Sequence, residues 1–197
     1  MDLINLSQQP KQSLDSDLEE FSTHVFTGLS RSTKKISPMY FYDDIGSDLF
    51  QKITQHEDYY LTRVEFDILK KISDRLPLLI KEKSLDIIEL GAGDGHKSKL
   101  VIDSFVKAGV KINYCPIDIS AQAFTQLKDN IQESQHLSIK AVVGEYMSGL
   151  KYLRDHSSNR QLVLFLGSNI GNFDKDRSLD FLRHLWSCMS NNDFLLA

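Results

Sequence analysis

A glycine-rich turn constrains the fold of this chain more than any other sequence feature. Residues 85–90 form a short apolar run that ends at Gly91-Ala92-Gly93-Asp94-Gly95, and residues 96–108 then follow a helical period. Glycine in such a turn allows the backbone to approach a ligand, because no Cβ stands in the way. The pattern predicts the first strand, turn and helix of a parallel α/β sheet that binds a ligand beside the turn.

Apolar runs and helical segments continue to alternate after this turn. The expected strands are residues 111–117, 137–143, 161–166 and a last one that begins at 194. This order predicts a doubly wound, parallel α/β sheet with right-handed crossovers. We expect three regions in the chain: a disordered tail over residues 1–13, an N-terminal helical segment over 14–82 that forms a layer beside the sheet, and an incomplete Rossmann-like domain over 83–197.

Charge, cysteine content and hydropathy argue against several classes of protein. The net charge of -4 and the pI near 5.8 are unlike those of a protein that binds nucleic acid or an acidic membrane surface. No apolar run approaches the ~20 residues of a membrane span, and the first residues lack the pattern of a secretion signal. The 2 cysteines and 6 histidines form no pair at metal-ligand spacing. We therefore expect a cytoplasmic protein with no metal, no nucleic-acid partner and no membrane partner.

The residues around the turn distinguish between two cofactors that such a sheet could hold. A dinucleotide fingerprint is Gly-x-Gly-x-x-Gly, whereas His96 stands at the last position here. S-adenosylmethionine has no phosphate group, and we expect the acid Glu89 before the turn to help hold its ammonium. Asp118 ends the next strand, where a carboxylate can accept ribose hydroxyl groups, and Glu145-Tyr146 follows the third strand, beside the expected adenine position. These positions favour S-adenosylmethionine over NAD.

Five sequence blocks carry a resemblance to a known family. They are residues 37–50 (SPMYFYDDIGSDLF), 58–65 (DYYLTRVE), 89–93 (ELGAG), 116–120 (PIDIS) and 164–173 (LFLGSNIGNF). In this order they resemble the signature blocks of the histidine-specific N-alpha-methyltransferases. The resemblance implies the class I S-adenosylmethionine-dependent methyltransferase fold. It also implies an enzyme that converts histidine to trimethylhistidine in ergothioneine biosynthesis, with S-adenosylhomocysteine as the second product.

The resemblance also assigns roles to individual residues. The residues that it implies for cofactor binding are Tyr42, Gly91, Lys97, Asp118, Glu145 and Tyr146, with Tyr42 closing over the cofactor. Tyr59 and Asn172 are expected to contact the substrate amino acid, which makes histidine the expected small-molecule partner. No residue is assigned as catalytic, because the in-line alignment of an amine with the methyl group supplies most of the rate of such a transfer.

The chain departs from the family pattern in three places. Glu145 stands where the family usually has Asp, and Asp94-Gly95-His96 replaces a loop that is usually rich in Ser and Thr. Family members also continue far beyond the position of Ala197 with a second lobe that recognises the imidazole ring. We therefore expect residues 1–197 on their own to form a truncated sheet, to be inactive, and to self-associate through the exposed sheet edge.

Two other functions remain open at the level of sequence. One is a related methyltransferase that acts on another amine, such as a prenylated tryptophan. The other is a non-catalytic binding or assembly domain that keeps only the cofactor fold. The glycine turn is compatible with both, since neither its spacing nor its flanking residues select the acceptor.

Overall fold

A parallel sheet of six strands organises the larger of two compact units in this chain. The computed structural model describes residues 1–6, 14–36, 40, 44–119, 121, 123–173 and 175–197. The larger unit comprises Met1–Ser7 with Arg63–Ala197, and the smaller one comprises Gln8–Thr62. We describe each unit by itself.

The strands of the sheet are all parallel and follow the order β1-β4-β3-β2-β5-β6. The six strands are β1 (Asp2–Asn5), β2 (Ser84–Leu90), β3 (Lys111–Asp118), β4 (Leu137–Val143), β5 (Gln161–Leu164) and β6 (Phe194–Leu196). From β2 the chain runs outward to β3 and β4, and then returns to β5 and β6 on the other side of β2. The doubly wound α/β sheet predicted from the sequence is therefore confirmed.

Helices connect the strands and cover both faces of the sheet. The helices of the larger unit are α3 (Leu61–Ile72, within the unit from Arg63), α4 (Leu76–Ile80), α5 (His96–Lys107), α6 (Ala123–Asn130), α7 (Tyr146–His156) and α8 (Lys175–Cys188). Adjacent residues of the central strand β2 face opposite sides, so Ile87 belongs to one buried apolar cluster and Ile88 to the other. Because both faces are covered, β2 is buried from Leu85 to Leu90, including its polar residues Asp86 and Glu89.

The first strand was not expected from the sequence. We predicted a disordered tail over residues 1–13, but Asp2–Asn5 forms β1 and pairs with the outer edge of β4, from Asp2 opposite Lys140 to Asn5 opposite Val143. Two observations explain this pairing: the N–H of Leu6 donates to the carbonyl of Val143, and Ile4 packs against the buried cluster that contains Ile88. Residues 7–13 of the predicted tail lie outside the described residues.

The boundary between the helical segment and the sheet also differs from the expected one. We placed it between residues 82 and 83, but residues 63–82 form one compact unit with the sheet. The reason is packing: Leu69 and Ile80 are 3% and 5% exposed and lie in the same core cluster as Phe105 of α5. Ser104 of α5 also donates to the carbonyl of Ser73, over 2.8 Å.

The smaller unit contains two described helices, α1 (Leu14–Leu29) and α2 (Asp44–Thr54). Tyr40 packs edge to face against Phe21 of α1, with 4.7 Å between ring centroids, and its hydroxyl forms a hydrogen bond with Nδ1 of His24. Gly28 lies close to the following loop, and its carbonyl accepts a hydrogen bond from the N–H of Lys35. In neither unit does any helix of the described ranges have the length and apolar character that a membrane crossing requires.

Candidate cofactor and substrate site

The carboxyl ends of the strands meet along one edge of the sheet, and the residues predicted to be functional follow them there. Gly91 follows β2, Asp118 ends β3, and Gly144 follows β4. Hydrogen bonds connect these segments: the N–H of Gly91 donates to Ile117 over 2.9 Å, and the N–H of Gly144 donates to the carbonyl of Asp118 over 2.9 Å. Ligands of doubly wound sheets bind at this edge, where neighbouring crossovers lead away in opposite directions. In this chain that switch point lies between β2 and β5.

The glycine turn is tightly packed on one side and open on the other. Gly91 has φ +75, and a Cβ atom added to it would lie 2.7 Å from the hydroxyl oxygen of Tyr146 and 3.7 Å from the amide nitrogen of Asn169. Gly93 has φ +52, and a Cβ atom there would meet no other heavy atom within 4 Å. The backbone favours glycine at both of these positions, and of the two, Gly91 also requires it for space.

A buried acid lies directly beneath this turn. Glu89 is 3% exposed, and its Oε2 accepts a hydrogen bond from the hydroxyl of Tyr114. Ser98 Oγ lies 3.3 Å from the same hydroxyl oxygen and donates to the carbonyl of Gly95 over 3.1 Å. Burial raises the pKa of Glu89 to about 7, although the hydrogen bonds and the charge of Lys97 act in the opposite direction.

The environment of Glu89 differs from the expected one. We predicted that its carboxylate would help hold the cofactor ammonium, but the structure places the side chain in the core, against Tyr114 of the neighbouring strand β3. Burial also raises the pKa of Tyr114 well above its ordinary value, so this phenol stays protonated and donates its hydrogen to the acid. In this structure Glu89 therefore packs in the core next to the glycine turn and bonds to Tyr114.

An ion pair forms a second polar group at the same edge. Lys97 Nζ of α5 lies 2.6 Å from Oε2 of Glu65 on α3, and the N–H of Gly167 donates to Oε1 of Glu65 over 2.6 Å. The side chains of Lys97 and Glu65 are 25% and 24% exposed. One carboxylate therefore connects the first turn of α5 to the loop that follows β5.

The remaining residues predicted to bind cofactor lie along the same edge. Asp118 is half-buried at the end of β3, and Glu145 is exposed at the N-cap of α7 with its carbonyl accepting a hydrogen bond from Gly149. Tyr146 begins α7, and its ring packs against Phe165 with 6.3 Å between centroids. The structure therefore brings Gly91 and Tyr146 into contact distance, whereas Tyr42 lies outside the described residues.

The two residues predicted to contact substrate belong to different units. Asn172 is exposed at the end of a short 3₁₀ helix, Asn169–Asn172, that follows β5. Tyr59 is half-buried in the smaller unit, where its ring packs edge to face against Phe50 with 6.0 Å between centroids. Their roles stay predictions.

Sequence reasoning missed two residues at this edge. Thr62 to Glu65 has the spacing of a capping box, but Thr62 lies inside α3, and the Glu65 carboxylate instead binds Lys97 and Gly167. Asn169 was also missed: its amide nitrogen lies 3.7 Å and 3.6 Å from Cβ atoms added at Gly91 and Gly167. No local signal reveals the contacts of Glu65 with Lys97 and Gly167, or the approach of Asn169 to Gly91, since these partners are distant in the sequence.

A parallel doubly wound sheet with a glycine turn after its first crossover strand, and an acid at the end of the next strand, defines the class of α/β proteins that bind a nucleoside-containing cofactor. Comparison with known protein families then identifies the family to which the chain belongs. A family described as "Histidine-specific methyltransferase, SAM-dependent" matches residues 21–197. The chain belongs to this family of S-adenosylmethionine-dependent methyltransferases.

Three curated relatives illustrate the similarity. Histidine N-alpha-methyltransferase of Mycobacterium tuberculosis is 33% identical over 173 residues, which cover 87% of this chain and 53% of the relative. The protein of the same name from Mycolicibacterium smegmatis is 33% identical over 183 residues, covering 92% and 56%. Ergothioneine biosynthesis protein 1 of Schizosaccharomyces pombe is 35% identical over 166 residues, covering 79% and 21%. The chain spans about half the length of the two bacterial relatives and about a fifth of the yeast one.

Proposed function

We propose that this protein binds S-adenosylmethionine and takes part in methylating the α-amino group of histidine. The observation that carries the proposal is the family match over residues 21–197, to a family described as histidine-specific. The two bacterial relatives are named for the same reaction. Another amine substrate is less favoured, since a 4-dimethylallyltryptophan N-methyltransferase of Claviceps purpurea is 27% identical over 166 residues, against 33% for the two bacterial histidine enzymes. A purely structural domain is not favoured by these matches, since all of these relatives are named as methyltransferases.

The geometry of the turn supports cofactor binding at the strand ends. The close approach of Gly91 to the Tyr146 hydroxyl and the open space beside Gly93 leave backbone groups accessible along one side of the turn. Asp118 is positioned at the end of β3, where a carboxylate can accept hydrogen bonds from both ribose hydroxyls. We assign Gly91, Asp118 and Tyr146 to the nucleoside part of the cofactor.

The other cofactor assignments rest on charge and position. Lys97 is a cation in the first turn of α5, next to the glycine turn, and suits the carboxylate of the cofactor's amino-acid end. Glu145 precedes Tyr146 and has no side-chain hydrogen bond at the N-cap of α7, so its carboxylate can turn toward the adenine edge. Tyr42 is assigned to closing the site, on the resemblance alone.

S-adenosylmethionine, when bound, supplies a methyl group on a sulfonium sulfur that an attacking amine displaces in line. The protein has to hold the amine neutral and aligned, with its nitrogen about 3 Å from the methyl carbon. Asn172 suits this task, because a neutral amide can orient the amino or carboxylate group of histidine without fixing a proton on the amine. Tyr59 is assigned to the substrate on the resemblance alone, and an aromatic ring in that role attracts a developing quaternary ammonium by ~0.5–2 kcal/mol.

Two finer expectations belong to the same proposal. We propose a cytoplasmic protein, which is supported by the cysteines: Cys115 is buried, and burial raises the pKa of its thiol to about 12, so it is protected from oxidation without a disulfide.

Self-association through a sheet edge stays a prediction, and the two edges are β1 and β6. Sedimentation over a range of protein concentrations would test it.

Calorimetric titration tests the proposed function. The protein is titrated with S-adenosylhomocysteine and, once saturated, with histidine, and the products of incubation with S-adenosylmethionine and histidine are measured by mass spectrometry. We expect binding of the cofactor product first and of histidine second. Absence of S-adenosylhomocysteine binding would reject the methyltransferase proposal. Binding of a prenylated tryptophan in place of histidine would reject the histidine assignment.

A further inference from the structure

The position of Lys97 needs a physical explanation. Lys97 is the second residue of α5, where the unpaired N–H groups and the helix dipole disfavour a positive charge. Its ammonium also lies only 3.4 Å from the place where a Cβ atom on Gly167 would be. The Lys97 ammonium is therefore held against the backbone of Gly167 at an electrostatically unfavourable helix position. A negatively charged group is needed next to it to compensate for its charge.

Glu65 provides that compensation and makes a second bond at the same time. Its two carboxylate oxygens have separate tasks, since Oε2 pairs with Lys97 Nζ at 2.6 Å and Oε1 accepts the N–H of Gly167 at 2.6 Å. Both side chains of the pair are about three-quarters buried, so the attraction is less screened than in an exposed pair. The carboxylate thus fixes the ammonium relative to the loop after β5.

The ammonium keeps donors for a ligand. A lysine has three N–H donors, and the bond to Glu65 uses one of them. A side chain with four rotatable bonds loses considerable entropy when it is held in one place, and a partner that orients it beforehand reduces the loss on binding. The Glu65 bond therefore prepares Lys97 to accept an anionic group at the glycine turn.

We propose that Glu65 is a positioning residue, which orients the Lys97 ammonium toward the carboxylate of the cofactor's amino-acid end and fixes the Gly167 loop beside it. This inference rests on the proposed function, because it needs the cofactor to bind at this edge. Glu65 acts through Lys97 and Gly167 and does not contact the reacting atoms. Loss of the Glu65 carboxylate should therefore lower cofactor affinity. It should have no further effect on that affinity in a variant that lacks Lys97.

The test compares cofactor affinity in variants of the ion pair. Glu65→Gln keeps the shape of the side chain and an oxygen for the Gly167 N–H, but it removes the negative charge, and the NH2 group in place of Oε2 cannot accept from the ammonium. We expect the dissociation constant for S-adenosylhomocysteine to rise about tenfold in this variant, as for loss of one charge-assisted bond. Lys97→Met should weaken binding at least as much, and adding Glu65→Gln to Lys97→Met should weaken it by less than about twofold more.

Glu82→Gln is the matched control. Glu82 pairs with Arg160 over 2.9 Å at a similar exposure, 34% and 29%, but it precedes β2 and lies at the opposite end of the strands. We expect urea unfolding to change by similar amounts in Glu65→Gln and Glu82→Gln, while cofactor affinity changes only in the former. A purely structural role for Glu65 would give the same affinity in both variants.

Several outcomes would overturn the inference. Wild-type affinity in Glu65→Gln, tighter binding in that variant, or additive effects in the double variant would each do so. If Glu65→Gln does not fold, Glu65→Asp decides, since it keeps the charge but shortens the reach: affinity about threefold weaker supports the inference, and unchanged affinity contradicts it. If the wild-type protein does not bind S-adenosylhomocysteine, the proposed function is rejected together with this inference. If the wild type binds and the Glu65 variants bind equally well, the inference alone is rejected.

Discussion

The contact between Gly91 and Tyr146 allows a quantitative prediction about the glycine turn. Gly91→Ala has two separate consequences. The first is the left-handed backbone, φ +75, which is unfavourable for a residue with a Cβ by roughly 1–2 kcal/mol. The second is the new Cβ atom, only 2.7 Å from the Tyr146 hydroxyl oxygen, which forces a shift that costs about 1–3 kcal/mol in a packed site. We expect Gly91→Ala to lower the free energy of unfolding by roughly 2–5 kcal/mol.

Gly93 provides the matched control for the backbone effect. It has φ +52 and no heavy atom within 4 Å of an added Cβ, so Gly93→Ala should show the backbone effect alone, about 1–2 kcal/mol. The entropy that alanine removes from the unfolded chain is the same for both glycines and cancels in the comparison. The difference between the two variants therefore measures the steric contact with Tyr146.

A double-mutant cycle isolates that contact. Tyr146→Phe removes the hydroxyl oxygen and leaves the ring carbon that carried it at 3.6 Å from the added Cβ, which is an ordinary van der Waals distance. Combined with Gly91→Ala, it should therefore recover about 1–3 kcal/mol relative to the sum of the single changes, as measured by urea unfolding. A coupling below about 0.5 kcal/mol, or equal losses in Gly91→Ala and Gly93→Ala, would refute the steric explanation.

Three further predictions concern the acid beneath the turn and the two ligands. Burial holds the pKa of Glu89 near 7 in the folded protein against about 4.5 for an ordinary carboxyl group, so the unfolded chain releases its proton first as pH rises. Stability should fall by about 3 kcal/mol between pH 4.5 and 7, and Glu89→Gln should abolish this part of the slope in urea unfolding; an unchanged slope would contradict the assignment. Asp118→Asn should weaken S-adenosylhomocysteine binding by about tenfold or more, and calorimetry showing wild-type affinity would exclude a ribose contact. Asn172→Ala should weaken histidine binding to the cofactor-saturated protein by about tenfold and leave cofactor affinity within about twofold, so a loss of cofactor affinity alone would contradict its role.

Much of the sheet was predictable because its signals are local. Strands β2 to β5 are short apolar runs covered on both faces, and each stops at a turn residue that the sequence displays. Parallel order then follows from the alternation of strands with helices. Gly91, Asp118 and Tyr146 were predictable as neighbours for the same reason, since they occupy the carboxyl ends of strands that must share one edge.

The capping-box spacing of Thr62 to Glu65 also predicts one helix that opens there and runs towards Ile80, and this prediction is only partly right. The apolar period continues through the whole segment, but the structure divides it into α3, a 3₁₀ turn at Ser73–Arg75, and α4 with Pro77 in its first turn. Proline cannot donate its backbone nitrogen and is tolerated only where a helix begins. Pro77 therefore indicates a break in the helix, although the hydrophobic period by itself predicts a continuous one.

Only the tertiary structure determined which distant groups meet. Glu65 is separated in sequence by 32 residues from Lys97 and by 102 from Gly167, and no periodic pattern connects positions so far apart. Strand β1 is equally hidden, because its four residues become a strand only beside the exposed backbone groups of β4. The sequence by itself thus determined the family, the doubly wound sheet and the glycine turn, through local patterns. The partners of Glu89, Lys97 and β1 depended on the path of the whole chain, since a hydrogen bond needs its two groups within about 3 Å regardless of their separation in sequence.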